Sequence, residues 1–376
     1  MSADLRSTEP LGAVRGPDYS VTVLAALAGP EGANDLERPA AATVEVFDAL
    51  ASGATLPSTH VVPLRMTTQG STAGRHGRAV EILDATSLED VAAALGEQSS
   101  RIVHAVGWEA GVVAAALRQG SISTGGTPRA QIVLEPLGAP ATAEWDLAGH
   151  AAALVVQTEM HRRASLQHGV PPGTLHVVAP AAPRYPGEAS VHVPTSGCRL
   201  AVLGDGVDSA TLEVIERLLR DDPTVEVVFA GAAGHLSRTR QHAAVVRSWP
   251  AQLTARVHAA ARVTWSLLAQ VDAVLDVCSA QRTPRAALAA MSAGRAVLAL
   301  PRSGAAGVVL HGQTGLRLHS CDPATVAEGI RRAIGDPRLL QRMGRAGHAR
   351  WESEHSPTVR ALRLADIYDQ VAASAS

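Results

Sequence analysis

Short apolar runs alternate along the chain with longer amphipathic segments, and this alternation constrains the fold more than any other feature. Apolar runs of about five residues, bounded by Gly, Pro or polar residues, are typical of buried strands. Segments of helical period between them favour parallel βα units, in which helices cover both faces of a sheet. The predicted strands cover residues 21–27, 61–64, 102–106, 131–135, 153–157 and 175–178, followed by 199–203, 225–230, 273–277, 296–300 and 315–318.

These strands fall into two sets, and a chain of 376 residues is long for a single core. The stretch between the sets, YPGEASVHVPTSG at residues 185–197, is rich in Pro, Gly and Ser and is predicted to be a linker. This division predicts four further parts of the chain. They are a flexible tail at 1–18, a first Rossmann-like domain at 19–184, a second at 198–355 and a C-terminal helix at 356–376.

Three helices are predicted after the last strand. Asp322 and Pro323 have the residue types of an N-cap and a first helical position, so a helix should begin there. Two more helical patterns cover residues 339–355 and 358–372. No strand follows them, so these helices must cover sheets that are already built.

Composition excludes several classes of function. The net charge is −2, so nucleic acid and anionic lipid are not expected partners. No stretch reaches the roughly 18 apolar residues of a membrane span, and the first residues lack a signal core, so a cytoplasmic protein without a transmembrane segment is expected. The three cysteines lack CxxC spacing, which favours buried free thiols over a metal site.

Several segments resemble the glycosyltransferases of family 4. They are IVHAVGWEAGVVAAAL, DAVLDV, ALAAMSAGRAVLAL, and GVVLHGQTGLRLHS with the helices that follow it. The resemblance extends over about residues 19–372. It implies a GT-B fold, in which two Rossmann-like domains face a cleft and the last helix crosses back to the first domain. It also implies a UDP- or GDP-sugar donor on the second domain, a small-molecule or glycan acceptor on the first, and no other cofactor or metal.

The family holds the donor diphosphate with an Arg and a Lys that follow the first strand of the second domain. Here Asp205 stands near the Arg position, and Val207, Asp208 and Ser209 lie where the Lys should be. All 33 basic residues are arginines, so no lysine can substitute. Losing two charge-assisted hydrogen bonds costs on the order of 4 kcal/mol, which is about a thousandfold in affinity.

Other family positions are also altered. The Glu-x7-Glu pair falls on Gln281 and Ala289, and the glycine whose amide meets a phosphate falls on Pro284, which has no N–H. A further family Glu falls on Gly307. In the first domain, Glu135 replaces the expected histidine. The resemblance therefore predicts a divergent member with degenerate donor-site motifs.

Eight residues remain as candidates for the site. The catalytic candidates are Gln281, Glu135 and His104, and the donor-binding candidates are Gly204, Arg282, Arg285, Ser303 and Gly304. Several have an ordinary alternative: His104 lies in an apolar strand and fits a core histidine equally well. The two arginines could replace the lost cations or simply be solvated, and a flexible loop explains Ser303 and Gly304 as well as anion binding does.

Three functional hypotheses follow. The first is a catalytically impaired homologue in a glycosylation or secondary-metabolite pathway, acting as a binding subunit or as the partner of an intact glycosyltransferase. The second is an active, divergent retaining transferase that moves a hexose from a nucleotide sugar. The third is a GT-B enzyme of another class, such as a sugar epimerase, which would also need diphosphate contacts.

Overall fold

A computed structural model describes residues 20–25, 46, 58–63, 101–107, 110–111, 114–115, 130–136, 147–187, 197–204, 207–231, 240–279 and 283–374. Within them lie two parallel sheets of six strands each. The first sheet has the order β2-β1-β3-β4-β5-β6. Its strands are β1 (Ser20–Ala25), β2 (Ser58–Pro63), β3 (Ile102–Val106), β4 (Gln131–Glu135), β5 (Ala153–Val156) and β6 (Leu175–Val177).

The second sheet has the order β12-β11-β10-β7-β8-β9, so the chain reverses its direction of strand addition between β7 and β10. Its strands are β7 (Cys198–Leu203), β8 (Val225–Ala230), β9 (Val257–Ala260), β10 (Ala273–Asp276), β11 (Ala296–Ala299) and β12 (Gly315–Arg317). The described helices are α1 (Glu159–Gln167), α2 (Ser209–Asp221), α3 (Arg240–Ser248), α4 (Ala251–Thr254), α5 (Trp265–Ala269), α6 (Arg285–Ser292), α7 (Pro323–Ile334), α8 (Pro337–Arg350) and α9 (Pro357–Ser374). The predicted doubly wound α/β class is therefore confirmed.

The last helix, α9, belongs to the core of the first domain. Its apolar side chains pack with those of β1, β3, β4 and β5 in one buried cluster, and Leu364 and Tyr368 are fully buried there. The chain thus returns from the second sheet to the first before it ends. This confirms the predicted crossing of the C-terminal helix.

Most predicted elements agree with the structure. All eleven predicted strands are present with ends shifted by up to three residues, and Asp322 caps α7 by accepting a hydrogen bond from the Thr325 amide at 2.9 Å. One strand was missed: β9 reads VHAA and is only half-buried, so it lacks an apolar run. The predicted helical segment 339–355 is confirmed, but it begins two residues earlier, behind the Asp336 cap, as α8 and continues as a short π-helix at Trp351–His355, called here the π-turn.

The predictions for the cysteines and for the linker have different outcomes. Cys198 is buried and Cys278 half-buried, but Cys321 is exposed because it lies in the turn ahead of α7, so the prediction of three buried thiols was wrong there. The proposed linker 185–197 falls partly outside the described residues, and the domain boundaries stay a prediction. None of the helices in the described ranges combines the length and apolar character that crossing a membrane requires.

Gly204 occupies a tight point of the second sheet, where β7 ends beside β10. Its φ is +117°, and a Cβ atom built on it would lie 2.5 Å from the backbone nitrogen of Cys278. A glycine is required here for two reasons. Residues with a side chain rarely adopt this backbone conformation, and the neighbouring backbone leaves no room for a Cβ atom.

We expect Gly204→Ala to lower the free energy of unfolding by at least about 2 kcal/mol, since it combines a strained backbone with a clash. Urea unfolding would measure the change. Gly307→Ala is the matched control, because nothing lies within 4 Å of its added Cβ, and it should stay within about 0.5 kcal/mol of the unaltered protein. Equal effects of the two substitutions would contradict this account of Gly204.

Candidate functional site

Several of the candidate residues lie at or near the carboxyl ends of the parallel strands. In open α/β sheets ligands bind beyond these ends, at the point where strand order reverses. Gly107 follows β3 with a φ of +91° and marks that point in the first sheet, and Gly204 marks it in the second. The two catalytic candidates that the structure describes, His104 and Glu135, lie on β3 and β4 near the first of these points.

Glu135 forms a buried ion pair with Arg360 of α9. The Arg360 Nη2 donates to the Glu135 Oε1 at 2.5 Å, and both side chains are only 6% exposed. Arg360 also donates through Nη1 to the carbonyls of Val178 at 2.8 Å and Ala179 at 2.6 Å. The charge of the Glu135 carboxylate is thus neutralised within the protein.

The surroundings of Glu135 decide its charge. Burial by itself would raise the pKa of this carboxyl, but the Arg360 charge and hydrogen bonds from His104 and Gln157 hold the pKa well below its usual range. The carboxylate is therefore ionised at neutral pH. A group with so low a pKa is a poor proton acceptor, which disfavours Glu135 as a general base.

His104 is fully buried beside the same carboxylate. Its Nδ1 lies 2.6 Å from the Tyr368 hydroxyl oxygen, and its Nε2 lies 3.5 Å from the Glu135 Oε2. The imidazole therefore spans α9 and β4 inside the first domain. The core-histidine interpretation fits this position better than acceptor binding does.

A chain of hydrogen bonds continues from Glu135 to the second domain. The Gln157 Nε2 donates to Glu135 Oε1 at 2.8 Å, and the Gln157 Oε1 accepts from the Thr283 hydroxyl. We call the series Arg360, Glu135, Gln157 and Thr283 the polar relay. It connects α9 and the first sheet with the segment that precedes α6.

A second set of contacts ties the π-turn to the segment after β6. The Trp351 Nε1 donates to the Ala182 carbonyl at 3.1 Å, and the Ala182 amide donates to the His355 carbonyl at 3.2 Å. The His355 Nδ1 lies 3.0 Å from the Pro180 carbonyl, to which it donates, and burial lowers the pKa of this imidazole. These three hydrogen bonds hold the π-turn, through which the chain returns to the first domain, against residues 180–182.

The predicted donor-binding region of the second domain includes the N-terminus of α2. Asp208 caps this helix, and its Oδ1 accepts from the Thr211 amide at 2.7 Å. A helix N-terminus attracts an anion through its free amides and its dipole. In this chain a carboxylate of the protein itself already occupies that place, while Asp205 lies outside the described residues.

Near α6, the structure describes two of the positions at which the resemblance predicts donor-binding residues. Pro284 precedes the helix without a side-chain cap, and Ala289 is fully buried in the apolar cluster that surrounds α6. The candidate Arg285 is half-buried at the first helical position. The other two candidates of this segment, Gln281 and Arg282, lie outside the described residues.

The turn after β11 uses its amides internally. The Ser303 amide donates to the Leu300 carbonyl and the Gly304 amide to the Cys278 carbonyl, both at 3.0 Å. The Ser303 hydroxyl donates to the buried carboxylate of Asp276, which also accepts from the Ala305 amide at 3.3 Å. The predicted anion-binding amides of Ser303 and Gly304 therefore hold the turn in place.

The sequence and structure of the chain are similar to those of known glycosyltransferases. A family model described as "Glycosyl transferases group 1" matches residues 209–350. No curated protein shows significant similarity to the chain. Among solved structures, sucrose-phosphate synthase from Thermosynechococcus elongatus superposes with a TM-score of 0.71 at 16% identity, over 95% of this chain and 100% of that one. Anabaena HepE in complex with UDP and glucose gives 0.67 at 14% identity, over 94% and 100%. A glycosyltransferase from Rickettsia africae gives 0.67 at 11%, over 94% and 98%.

The chain has the GT-B fold. Two parallel-sheet domains and an α9 helix that returns to the first of them are the features that decide this, and the group 1 match runs from the start of α2 to the end of α8. Membership of family 4 and the degeneracy of its motifs stay predictions. In the described parts of this GT-B chain, no group of three His, Cys, Asp or Glu residues is placed to hold a metal ion.

Three residues of the GT-B core were missed by sequence reasoning. Arg360, Gln157 and Tyr368 surround Glu135 and His104, yet none was singled out. A signal was present for Arg360, because it is the one charged residue at a core-facing position of the last helical pattern, next to Ala361 and a turn ahead of Leu364. A buried arginine must have an acidic or carbonyl partner.

The ion pair predicts a specific dependence of stability on pH. Since Glu135 has a lowered pKa in the folded state, its stabilising contribution is full above the unfolded-state pKa of about 4.3 and is lost as the pH falls below it. Arg360→Met should destabilise the protein at pH 7 by about 3–5 kcal/mol. Burial then raises the pKa of Glu135, so the variant should lose further stability, relative to the unaltered protein, as the pH rises from about 4.3 toward that raised value.

Urea unfolding between pH 4 and 8 would measure both curves. The double variant Glu135→Gln and Arg360→Met is the control, because it removes the carboxylate and should show none of the additional slope that comes from Glu135. Parallel curves for Arg360→Met and the unaltered protein would rule out the coupling between the two side chains.

Proposed function

We propose that this protein is a glycosyltransferase homologue that has lost its hold on the nucleotide diphosphate and acts as a binding subunit or partner in a glycosylation or glycoconjugate pathway. The group 1 domain and the GT-B neighbours support a glycosyltransferase ancestry and function in general. The main observation in support of the proposed loss of diphosphate binding is the Asp208 carboxylate at the N-terminus of α2.

Electrostatics give the size of the effect. A phosphate charge about 5 Å from this carboxylate would be repelled by about 3 kcal/mol at an effective dielectric constant of 20, which is roughly two orders of magnitude in affinity. The buried Asp276 adds a second carboxylate beneath the turn at Ser303. Pro284 offers no amide, and no lysine exists to compensate.

The proposed partner is an intact glycosyltransferase, and a small-molecule or glycan acceptor remains the ligand that suits the first domain. Three cysteines without CxxC spacing fit a reducing compartment, so we place this role in the cytoplasm. No cofactor is required for it.

The second candidate is an active, divergent retaining transferase with a UDP- or GDP-hexose donor. Its support is the similarity to HepE, which was solved in complex with UDP and glucose. In this case Gln281, Arg282 or Arg285 would have to contact the donor in roles that the family gives to other residues.

Calorimetry distinguishes the two candidates. We expect no binding heat for UDP, GDP or their hexose conjugates at ligand concentrations up to about 1 mM, which corresponds to a binding free energy weaker than about −4 kcal/mol. HepE, measured under the same conditions with UDP, is the positive control. Micromolar binding by this chain would refute the loss of donor binding and favour the active transferase.

A restored donor site should regain affinity. We expect the combined substitutions Asp205→Arg, Asp208→Ser and Pro284→Gly to strengthen UDP binding by more than tenfold, because they add a cation and an amide, remove a carboxylate and keep a helix cap. Ala289→Glu is the contrasting variant: it buries a carboxylate in an apolar cluster and should reduce stability without adding affinity. Unchanged affinity of the restored protein would mean that the donor site lies elsewhere.

A further inference from the structure

The polar relay is the place where side chains of the two domains share a buried hydrogen bond. Gln157 follows β5 of the first domain and is 3% exposed, and Thr283 precedes α6 of the second and is 8% exposed. The Thr283 hydroxyl donates to the Gln157 amide oxygen, and the two residues are 126 positions apart in sequence. Its burial makes it costly to break, because the amide oxygen would lose its partner away from water.

We propose that Thr283 and Gln157 are positioning residues that hold the donor-side segment against the first domain without any ligand. The inference rests on the proposed function, since a working transferase would couple this closure to its nucleotide sugar. In this chain a hydrogen bond of the protein itself joins the two segments.

The charge of Glu135 sets the direction of every bond in the relay. An ionised carboxylate can only accept hydrogen bonds, so the Gln157 amide group must present its NH₂ to Glu135, as the 2.8 Å contact shows. The Gln157 oxygen then faces the second domain, and the Thr283 hydroxyl must donate to it. Arg360 thereby influences the second domain through three successive contacts.

The relay also reaches the start of α6. The Thr283 carbonyl accepts from the Arg285 amide at 2.8 Å, and Arg285 is the first residue of that helix. The position of Thr283 therefore sets where α6 begins and where Pro284 lies. Breaking the link should loosen the N-terminal turn of α6 before it affects the rest of the second domain.

Hydrogen–deuterium exchange of the ligand-free protein tests the inference. Thr283→Val keeps the volume of the side chain and removes the donor, so we expect exchange in peptides covering residues 283–292 to become roughly three- to tenfold faster. Thr283→Ser restores the hydroxyl and should return exchange to the rate of the unaltered protein.

Thr314→Val is the matched control within the second domain. Thr314 is equally buried, and its Oγ1 accepts from the Leu310 amide at 2.9 Å. Its replacement should accelerate exchange around residues 310–315 and leave 283–292 unchanged. In a Gln157→Leu background, Thr283→Val should have no additional effect, because the acceptor has already been removed.

Two results would overturn the inference: unchanged exchange at 283–292 in Thr283→Val, or equal exchange in Thr283→Val and Thr283→Ser. Because no nucleotide is present, these outcomes are independent of the calorimetry. Micromolar UDP binding would refute the proposed function and leave the exchange result intact. Slow exchange in all variants together with no UDP binding would refute the positioning role alone.

Discussion

The ion pair between Arg360 and Glu135 is the interaction on which the rest of the molecule depends. A carboxylate at the buried end of β4 needs a cation, and the chain supplies it from a helix 225 residues later. The last helix must therefore return to the first sheet, and the segment before it must run along residues 180–182 to get there. Because the two residues are 225 apart in sequence, the first domain is complete only after α9 has been made, and such distant contacts slow folding.

The same principle governs the cleft, where polar groups are satisfied by the protein rather than kept for a ligand. Asp208 accepts from the Thr211 amide at the start of α2, Asp276 accepts from the Ser303 hydroxyl, and the Gly304 amide donates to the Cys278 carbonyl. A binding site for a diphosphate needs preorganised donors without internal partners. In the described part of the cleft, the donors that we located are already used, and the charges beside them are negative.

Sequence reasoning succeeded where a signal was local and failed where it was distant. Buried strands such as β3 and β10 are continuous apolar runs, so their positions could be predicted closely, whereas the half-buried β9 carries no such run. Glu135 could be placed at a strand end, but its pairing with Arg360 depends on how the last helix packs. The amides of Ser303 and Gly304 were sensible candidates by residue type, and only the three-dimensional arrangement shows that carbonyl groups already accept from them.

The proposed loss of donor binding and the Gln157–Thr283 contact both involve the short stretch from Gln281 to Ala289. A ligand shifts a conformational equilibrium only by its difference in affinity for the two states. Under the proposed function the chain therefore cannot use a nucleotide to close its domains, and separating the domains would leave Gln157 without its present partner Thr283. The Thr283 hydroxyl supplies a bond that needs no ligand. If the proposed function is right, Pro284 and Ala289, which fall on donor-binding positions, are close in sequence to Thr283, which bonds the second domain to the first, so the contact between the domains can persist after donor binding is lost.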